Sequence, residues 1–236
     1  MNPPPPLLGQ SELEALRQLD TCTVSNAIET FNVRLRNTGF TDASIRSLFP
    51  DNPPLVGYAV TVRISCSGPP IEGHVAPERT DWWQSLIAAP TPRIVVIEDV
   101  TPHPGNASFI GEVHAHVLKA LGCLGAITNG AAHDLPGIHA AGFQMFAANP
   151  AVSHGYAHIV DFGRPVEVGG LRIQPGDLLH ADRHGVLNVP LGIATRIPEV
   201  ARQQQELENR VIEFCQTGTF DLRRLRDAVR GVFPDA

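Results

Sequence analysis

Hydrophobic and polar positions along the chain follow two periods, one typical of helices and one typical of strands. Apolar residues three and four positions apart predict helices that begin with Ser11 as N-cap, at Thr23 and, near the C-terminus, at Ile197. Short runs rich in β-branched residues and bounded by turn residues predict strands, most clearly over Leu55–Ile64 and Arg93–Val100. The chain therefore carries both kinds of element.

The middle of the chain alternates strands with helices, whereas its last third favours hairpins. A helix over Ile110–Leu121, with Val113 on its inward face, precedes a strand over Gly122–Thr128. Gly169 and Gly170 join two β-rich runs and predict a hairpin. This order of elements indicates an α/β protein, a single-domain mixed α/β sandwich.

Composition at the two ends divides the chain into three predicted segments. Residues 1–10 carry four consecutive prolines and predict a flexible proline-rich arm. Residues 11–218 form the α/β domain, and residues 219–236 form a C-terminal helical tail. The first residues have no basic signal-peptide start, and no apolar run approaches the ~18 residues of a membrane span. We therefore expect a cytoplasmic protein without a membrane partner.

Charge and cysteine content exclude some classes of function. The net charge is -6, and no run of five or more basic residues occurs, so a nucleic-acid partner is not expected. The four cysteines form no CxxC pair and predict buried free thiols rather than disulfides or a zinc knuckle. They are Cys22, Cys66, Cys123 and Cys215.

Candidate chemistry concentrates between Gly111 and Asp134. The residues Gly111–His114 begin a predicted helix, and free N–H groups at a helix start suit a carboxylate. The carboxylates of Glu112 and Asp134 could share a hard divalent cation with water. The alternative is an ordinary strand–turn–helix whose polar residues are only solvated.

Five spaced segments form a set of motifs, namely Thr23–Ala27, Gly57–Val62, Gly111–Glu112, Gly122–Asp134 and Pro175–Val186. Together they resemble the motifs of one family, the class II pyruvate aldolases and regulators of ribonuclease activity A (RraA-like). The resemblance covers residues 16–218, and no single motif carries it alone.

The resemblance implies a fold of the swivelling β/β/α type and two functions from different classes. One is a metal-dependent lyase that cleaves 4-hydroxy-4-methyl-2-oxoglutarate and related acids, or decarboxylates oxaloacetate, and releases pyruvate through a metal-stabilised enolate. The other is a non-catalytic oligomeric regulator that binds a ribonuclease or another protein. An intact metal and pyruvate site distinguishes the lyase from the regulator.

The resemblance also assigns roles to residues by position. Gly111, Glu112, Val113 and His114 match the segment whose backbone amides hold the substrate carboxylate. Asp134 matches the ligand of Mg²⁺ or Mn²⁺, and Glu112 matches a partner of metal-bound water. The metal serves mainly as a Lewis acid.

The implied site departs from the family at one position and includes a residue from a second subunit. His133 stands where the family has arginine, and it could replace the arginine for another substrate, join Asp134 in binding the metal, or abolish aldolase activity. A glutamate from the C-terminal helix of a neighbouring subunit completes the family site, and Glu206 is the first choice for it, with Glu208 as fallback. The resemblance therefore implies a homotrimer or hexamer with active sites between subunits.

Overall fold

The computed structural model describes residues 7–70, 77–218 and 221–230. The α-helices in the described residues are α1 (Gln10–Arg17), α2 (Thr21–Thr30), α3 (Arg79–Ala88), α4 (Glu112–Ala120), α5 (Leu135–Ala140), α6 (Ile197–Gln216) and α7 (Leu222–Val229). The first strands are β1 (Arg46–Ser47), β2 (Leu55–Ser65), β3 (Arg93–Asp99), β4 (Ser108–Ile110), β5 (Cys123–Thr128), β6 (Ala131–Ala132) and β7 (Gln144–Ala147). The remaining strands are β8 (Asn149–Pro150), β9 (His158–Phe162), β10 (Val166–Val168), β11 (Leu171–Ile173), β12 (Leu178–Asp182) and β13 (Gly185–Val189).

A mixed sheet forms the centre of the molecule. Its strand order is β1-β7-β5-β3-β2-β12-β13, and β9 pairs with the end of β2. The strands β2, β3, β5 and β7 are parallel, whereas β12 and β13 are antiparallel to their neighbours. The predicted strands at Leu55 and Arg93 are confirmed, and each ends within one residue of its predicted end.

Side chains of the central strands point alternately into two cores. Val95 and Ile97 of β3 face a core that they share with Trp82 of α3 and with α4 and α5. Ile94 and Val96 of the same strand face the β10–β11 hairpin on the other side. A strand buried on both faces needs the continuous apolar run seen here. Helices, sheet and hairpin thus form three layers, which confirms the predicted mixed α/β sandwich.

A third core joins the N-terminal helices to the antiparallel end of the sheet. Residues of α1, α2 and α6 pack there against β12 and β13. Leu8 belongs to this core, and its N–H donates to the hydroxyl of Tyr58 at 2.8 Å. The predicted arm at residues 1–10 is therefore wrong for its last residues, and residues 1–6 lie outside the described residues. The predicted N-cap Ser11 is also wrong, because Gly9 caps α1 and its N–H bonds Glu12 at 2.7 Å.

The C-terminal part of the chain is helical, as predicted. The helix α6 begins at Ile197 and ends at Gln216, and α7 follows it. The rest of the predicted tail, residues 219–220 and 231–236, lies outside the described residues. None of the helices in the described part of the chain combines the length and the apolar character needed to cross a membrane.

The cysteines divide into two kinds. Cys66 and Cys123 are buried, and burial raises the pKa of each thiol to about 12, so both are inert core residues. Cys22 and Cys215 are exposed, which corrects the prediction that all four thiols are buried. All four are free.

Candidate active site

The site begins where the parallel strands β3 and β5 end. The side chain of Asn129, just after β5, accepts a hydrogen bond from Asp99 N at 2.7 Å and donates one to Asp99 O at 3.0 Å. These two bonds extend the β3–β5 pairing by one residue. They fix the point from which the chain leaves the sheet towards His133 and Asp134.

A small second sheet brings the two predicted halves of the site together. The strands β4, β6 and β8 are parallel, with β6 in the centre. The pairing continues past the strand ends, since His133 N donates to Ile110 O at 3.0 Å. Gly111 and His133 are thereby held side by side, although α4, β5 and β6 separate them in the sequence.

The start of α4 presents backbone donors to this part of the molecule. Gly111 is the N-cap, and among the described residues no side chain accepts a hydrogen bond from the first turn. The first helical bond at this end joins Ala115 N to Gly111 O at 2.9 Å. The N–H groups of Glu112, Val113 and His114 therefore have no acceptor within the helix, and they form an anion-binding end.

Asp134 projects from an uncommon backbone conformation. Its φ is 55° and its ψ is 48°, in the left-handed region. It is the N-cap of α5, yet its side chain accepts no capping hydrogen bond. With half of its side chain exposed, the carboxylate is available to a ligand.

His133 and Asp134 face each other through specific atoms. The Nδ1 of His133 lies 3.0 Å from Ala151 O, so the proton of a neutral ring is on Nδ1. The Nε2 of the same ring lies 3.2 Å from Oδ1 of Asp134. A bare nitrogen lone pair and a carboxylate oxygen repel each other at this distance. The pair is satisfied when a proton or a cation lies between the two atoms.

His154 joins the site, and the sequence patterns did not indicate it. Its ring lies 4.6 Å from the ring of His133, centroid to centroid, and its Nδ1 bonds Ser108 O at 2.7 Å. A Cβ on Gly111 would lie 3.2 Å from Cε1 of His154 and 3.5 Å from Oδ2 of Asp134. Glycine at position 111 therefore allows both side chains to approach the helix amides.

A pocket of about 360 Å³ opens over these groups. Its wall combines the start of α4 with Asp134, His154 and an apolar side of Trp83, Phe109 and Val117. Arg79, the first residue of α3, also lines it, with Cζ 5.1 Å from the centre of the Phe109 ring. Arg79 therefore brings a permanent positive charge to the pocket, and it is the second residue that sequence patterns missed.

His114 occupies a buried position on α4 rather than an open one. Its Nδ1 bonds Phe109 O at 3.1 Å, and its Nε2 has no hydrogen-bond partner within the part of the chain that the structure describes. Burial, together with the charges of Arg79 and His154, lowers the pKa of His114 to about 4, although the hydrogen bond to the Phe109 carbonyl acts in the opposite direction. The predicted inward residue Val113 is instead 79% exposed, because the helix turns His114, Ala115 and Leu118 inward.

The two predicted glutamates occupy different places. The carboxylate of Glu112 packs over α5, where a Cβ on Gly137 would lie 2.5 Å from Oε2 of Glu112. Glu206 lies exposed on α6 and pairs with Arg202 of the same helix. Within the described residues, no three ligand atoms from the pocket lie within 4.8 Å of one another. One chain therefore offers the pair His133 and Asp134, with open positions for water or for a second chain.

Comparisons with known proteins agree with this architecture. A solved structure of an uncharacterised Pseudomonas syringae pv. tomato protein matches with a TM-score of 0.73 at 23% identity, over 99% of this chain and 100% of that chain. Streptomyces coelicolor RraAS2, described as an unusual member of the RNase ES inhibitor RraA family, matches with a TM-score of 0.67 at 20% identity, over 90% of this chain and 100% of that chain. At these identities the likeness shows the fold alone.

The sequence comparisons define the family. The model of the RraA-like family, described as Aldolase/RraA, matches residues 21–188. The chain belongs to this RraA-like family. A Halalkalibacterium halodurans protein, provisionally named 4-hydroxy-4-methyl-2-oxoglutarate aldolase, is 28% identical over 99 residues. That match covers 42% of this chain and 47% of the relative, so the chain spans about half the length of this relative.

Proposed function

We propose that the protein is a divalent-metal-dependent lyase that cleaves or decarboxylates small 2-oxo acids and releases pyruvate. The observation that carries the proposal is the meeting, at one pocket, of free helix amides with the carboxylate of Asp134, which faces Nε2 of His133. Amides at a helix start suit the carboxylate of a 2-oxo acid. The pocket volume of about 360 Å³ suits a small molecule.

The residues present fit a hard divalent cation such as Mg²⁺ or Mn²⁺. Asp134 offers an uncapped, half-exposed carboxylate to the cation. Glu112 adds a second carboxylate at the pocket wall, which suits a hydrogen bond to bound water. When bound there, the cation would polarise the keto oxygen of the substrate as a Lewis acid.

The remaining chemistry belongs to side chains and amides of this chain. The amides of Glu112, Val113 and His114 hold the substrate carboxylate and fix its orientation. His133 hydrogen-bonds the pyruvyl oxygen through Nε2 in its protonated form, with Nδ1 anchored on Ala151 O. Developing negative charge on that oxygen is thus met by a donor already in place.

Arg79 supplies the permanent positive charge that position 133 lacks in this chain. It lines the same pocket, and its stacking on Phe109 directs the guanidinium along the pocket wall. A guanidinium binds a carboxylate through two parallel hydrogen bonds. We therefore assign it to the second carboxylate of a dicarboxylic 2-oxo acid, which leaves His133 to act on the oxygen.

The test is pyruvate release from oxaloacetate and from 4-carboxy-4-hydroxy-2-oxoadipate, with Mg²⁺ or Mn²⁺ and with EDTA. Turnover should require the metal, and Asp134→Asn should reduce kcat/KM by about 100-fold or more. Asparagine tolerates the left-handed backbone, so this variant tests the charge and not the fold. The matched control is Glu167→Gln on the exposed part of β10, which should retain full activity.

Two results would contradict the lyase. One is turnover that persists in EDTA or in Asp134→Asn. The other is a folded protein that releases no pyruvate with either metal. The second result would favour the non-catalytic regulator, which does not need the pocket.

We further propose that the active form is a homotrimer or a hexamer, with Glu206 or Glu208 of one subunit facing the pocket of the next. Val113, exposed at the pocket rim, supplies apolar surface for such a contact. Mixing the inactive variants Asp134→Asn and Glu206→Gln should restore activity, because some mixed interfaces carry both native residues. If Glu206→Gln is active by itself, the same mixing experiment applies to Glu208→Gln.

A further inference from the structure

A second group of ligand-type side chains lies outside the pocket, where α2 begins. Asp20 caps α2, Cys22 follows in its first turn, and His184 lies in the turn between β12 and β13. All three are exposed, and one ligand atom of each lies within 4.8 Å of the other two. Among the described residues, no other group of three histidine, cysteine or acidic side chains has ligand atoms this close together.

A buried carboxylate behind the group orients the histidine. The Nδ1 of His184 lies 3.0 Å from Oδ1 of Asp182, so Nδ1 carries the proton and Nε2 keeps its lone pair. Asp182 is 7% exposed and accepts backbone N–H bonds from Thr21 and His184, each at 2.8 Å. A carboxylate behind the ring is the arrangement that holds metal-binding histidines in proteins.

The residues that support Asp182 are held in place by further hydrogen bonds. Thr21 donates its N–H to Asp182, and its hydroxyl lies 2.9 Å from Nδ1 of His180. The Nε2 of His180 lies 3.1 Å from Leu16 O. His180 is fully buried, so these bonds tie the start of α2 to β12 without solvent. The three ligand side chains therefore project from two elements whose relative position is fixed.

The ligand types select one class of cation. Thiolate, imidazole and carboxylate together suit zinc and related transition metals rather than Mg²⁺ or Ca²⁺. Bonds of about 2.0–2.3 Å place the ligands of a tetrahedral zinc ion about 3.3–3.8 Å apart. Exposed side chains reach that spacing from the present one by small rotations.

We propose that Asp20, Cys22 and His184 form a binding site for a divalent transition-metal ion of the zinc class, separate from the Asp134 pocket. Nε2 of His184, the sulfur of Cys22 and one oxygen of Asp20 are the protein ligands, and water takes the fourth position. The bound ion links the first turn of α2 to the β12–β13 turn across the protein surface.

The charges around Cys22 exclude a different reading, that of a reactive thiol. Partial burial of the sulfur raises the pKa of the Cys22 thiol, and the nearby carboxylates of Asp20 and Asp182 raise it further. A nucleophilic cysteine needs the opposite surroundings. A divalent cation reverses the balance, because it neutralises the carboxylates and binds the thiolate directly.

Titration of the full-length protein with Co²⁺ tests the site, because a thiolate bound to cobalt gives a charge-transfer absorption band that oxygen ligands do not give. We expect the band to saturate at one ion per chain and to disappear on addition of Zn²⁺. Cys22→Ser should abolish the band, and His184→Asn should weaken binding at least tenfold.

The controls separate this site from the pocket and from the other exposed thiol. Cys215→Ser and Asp134→Asn should both leave the band unchanged. A wild-type protein without the band, or a band that survives Cys22→Ser and is lost in Cys215→Ser, would overturn the proposal. Circular dichroism of each variant establishes that it is folded.

Discussion

Acidification should destabilise the protein through His114, because its ring is buried in a neutral state. His114 packs against the rings of Trp82 and Phe109, whose centroids lie 5.6 Å and 4.8 Å from its own. Its pKa is lowered to about 4 in the folded chain, whereas an exposed histidine titrates near 6.5. Between these two values the unfolded chain binds a proton that the folded chain does not.

The magnitude follows from linkage. Stability falls as pH decreases through this window, with a slope of about 1.4 kcal/mol per pH unit for one proton. Over the range from 6.5 to about 4, His114 thus removes about 3 kcal/mol from the free energy of unfolding. A loss of this size is a large part of the ~5–15 kcal/mol that holds a typical domain together.

Urea unfolding of wild type and His114→Gln at several pH values between 7 and 4 measures the effect. Glutamine can donate to the Phe109 carbonyl and does not titrate, so wild type should lose about 3 kcal/mol more than the variant. The matched control, His116→Gln on the exposed side of the same helix, should follow wild type. Parallel pH profiles of wild type and His114→Gln would refute the reasoning, because His114 would then titrate alike in both states.

Three further variants test other parts of the structure. Arg79→Gln should raise KM for a dicarboxylic 2-oxo acid about 10–100-fold in the pyruvate assay, with the protein fully folded. Gly125→Ala should destabilise strongly in thermal unfolding, because its Cβ would lie 2.6 Å from Gln144 O, whereas Gly192→Ala has open space and should not. Arg93→Met should cost about 2–4 kcal/mol in urea unfolding, since Arg93 bonds the carbonyls that end α3 and α4.

Sequence patterns predicted those structural elements that depend on residues close together in the chain. The apolar run at Arg93 identified a buried strand, because a strand covered on both faces needs apolar residues throughout. The apolar periodicity of α4 predicted that Val113 points inward, and this prediction is wrong. Three aromatic rings pack around His114 instead, and a helical period does not reveal such a contact. A polar residue that makes a hydrogen bond in the protein interior can therefore occupy the buried face of a helix in place of an apolar residue.

The candidate site was predictable in part. Gly111 and Asp134 belong to local motifs, and the structure places both at one pocket. His154 and Arg79 reach it only through parallel pairing of β6 with β8 and through the packing of α3. Such contacts join residues far apart in the chain, so no spacing pattern marks them.

The left-handed conformation of Asp134 also limits how this position can change over evolution. At a φ of 55°, most side chains are strained, and only glycine, asparagine and aspartate fit readily. Of these three, aspartate alone carries the charge that a cation needs. A relative with asparagine or glycine at position 134 can therefore keep this backbone conformation while it loses the charge that the proposed cation needs.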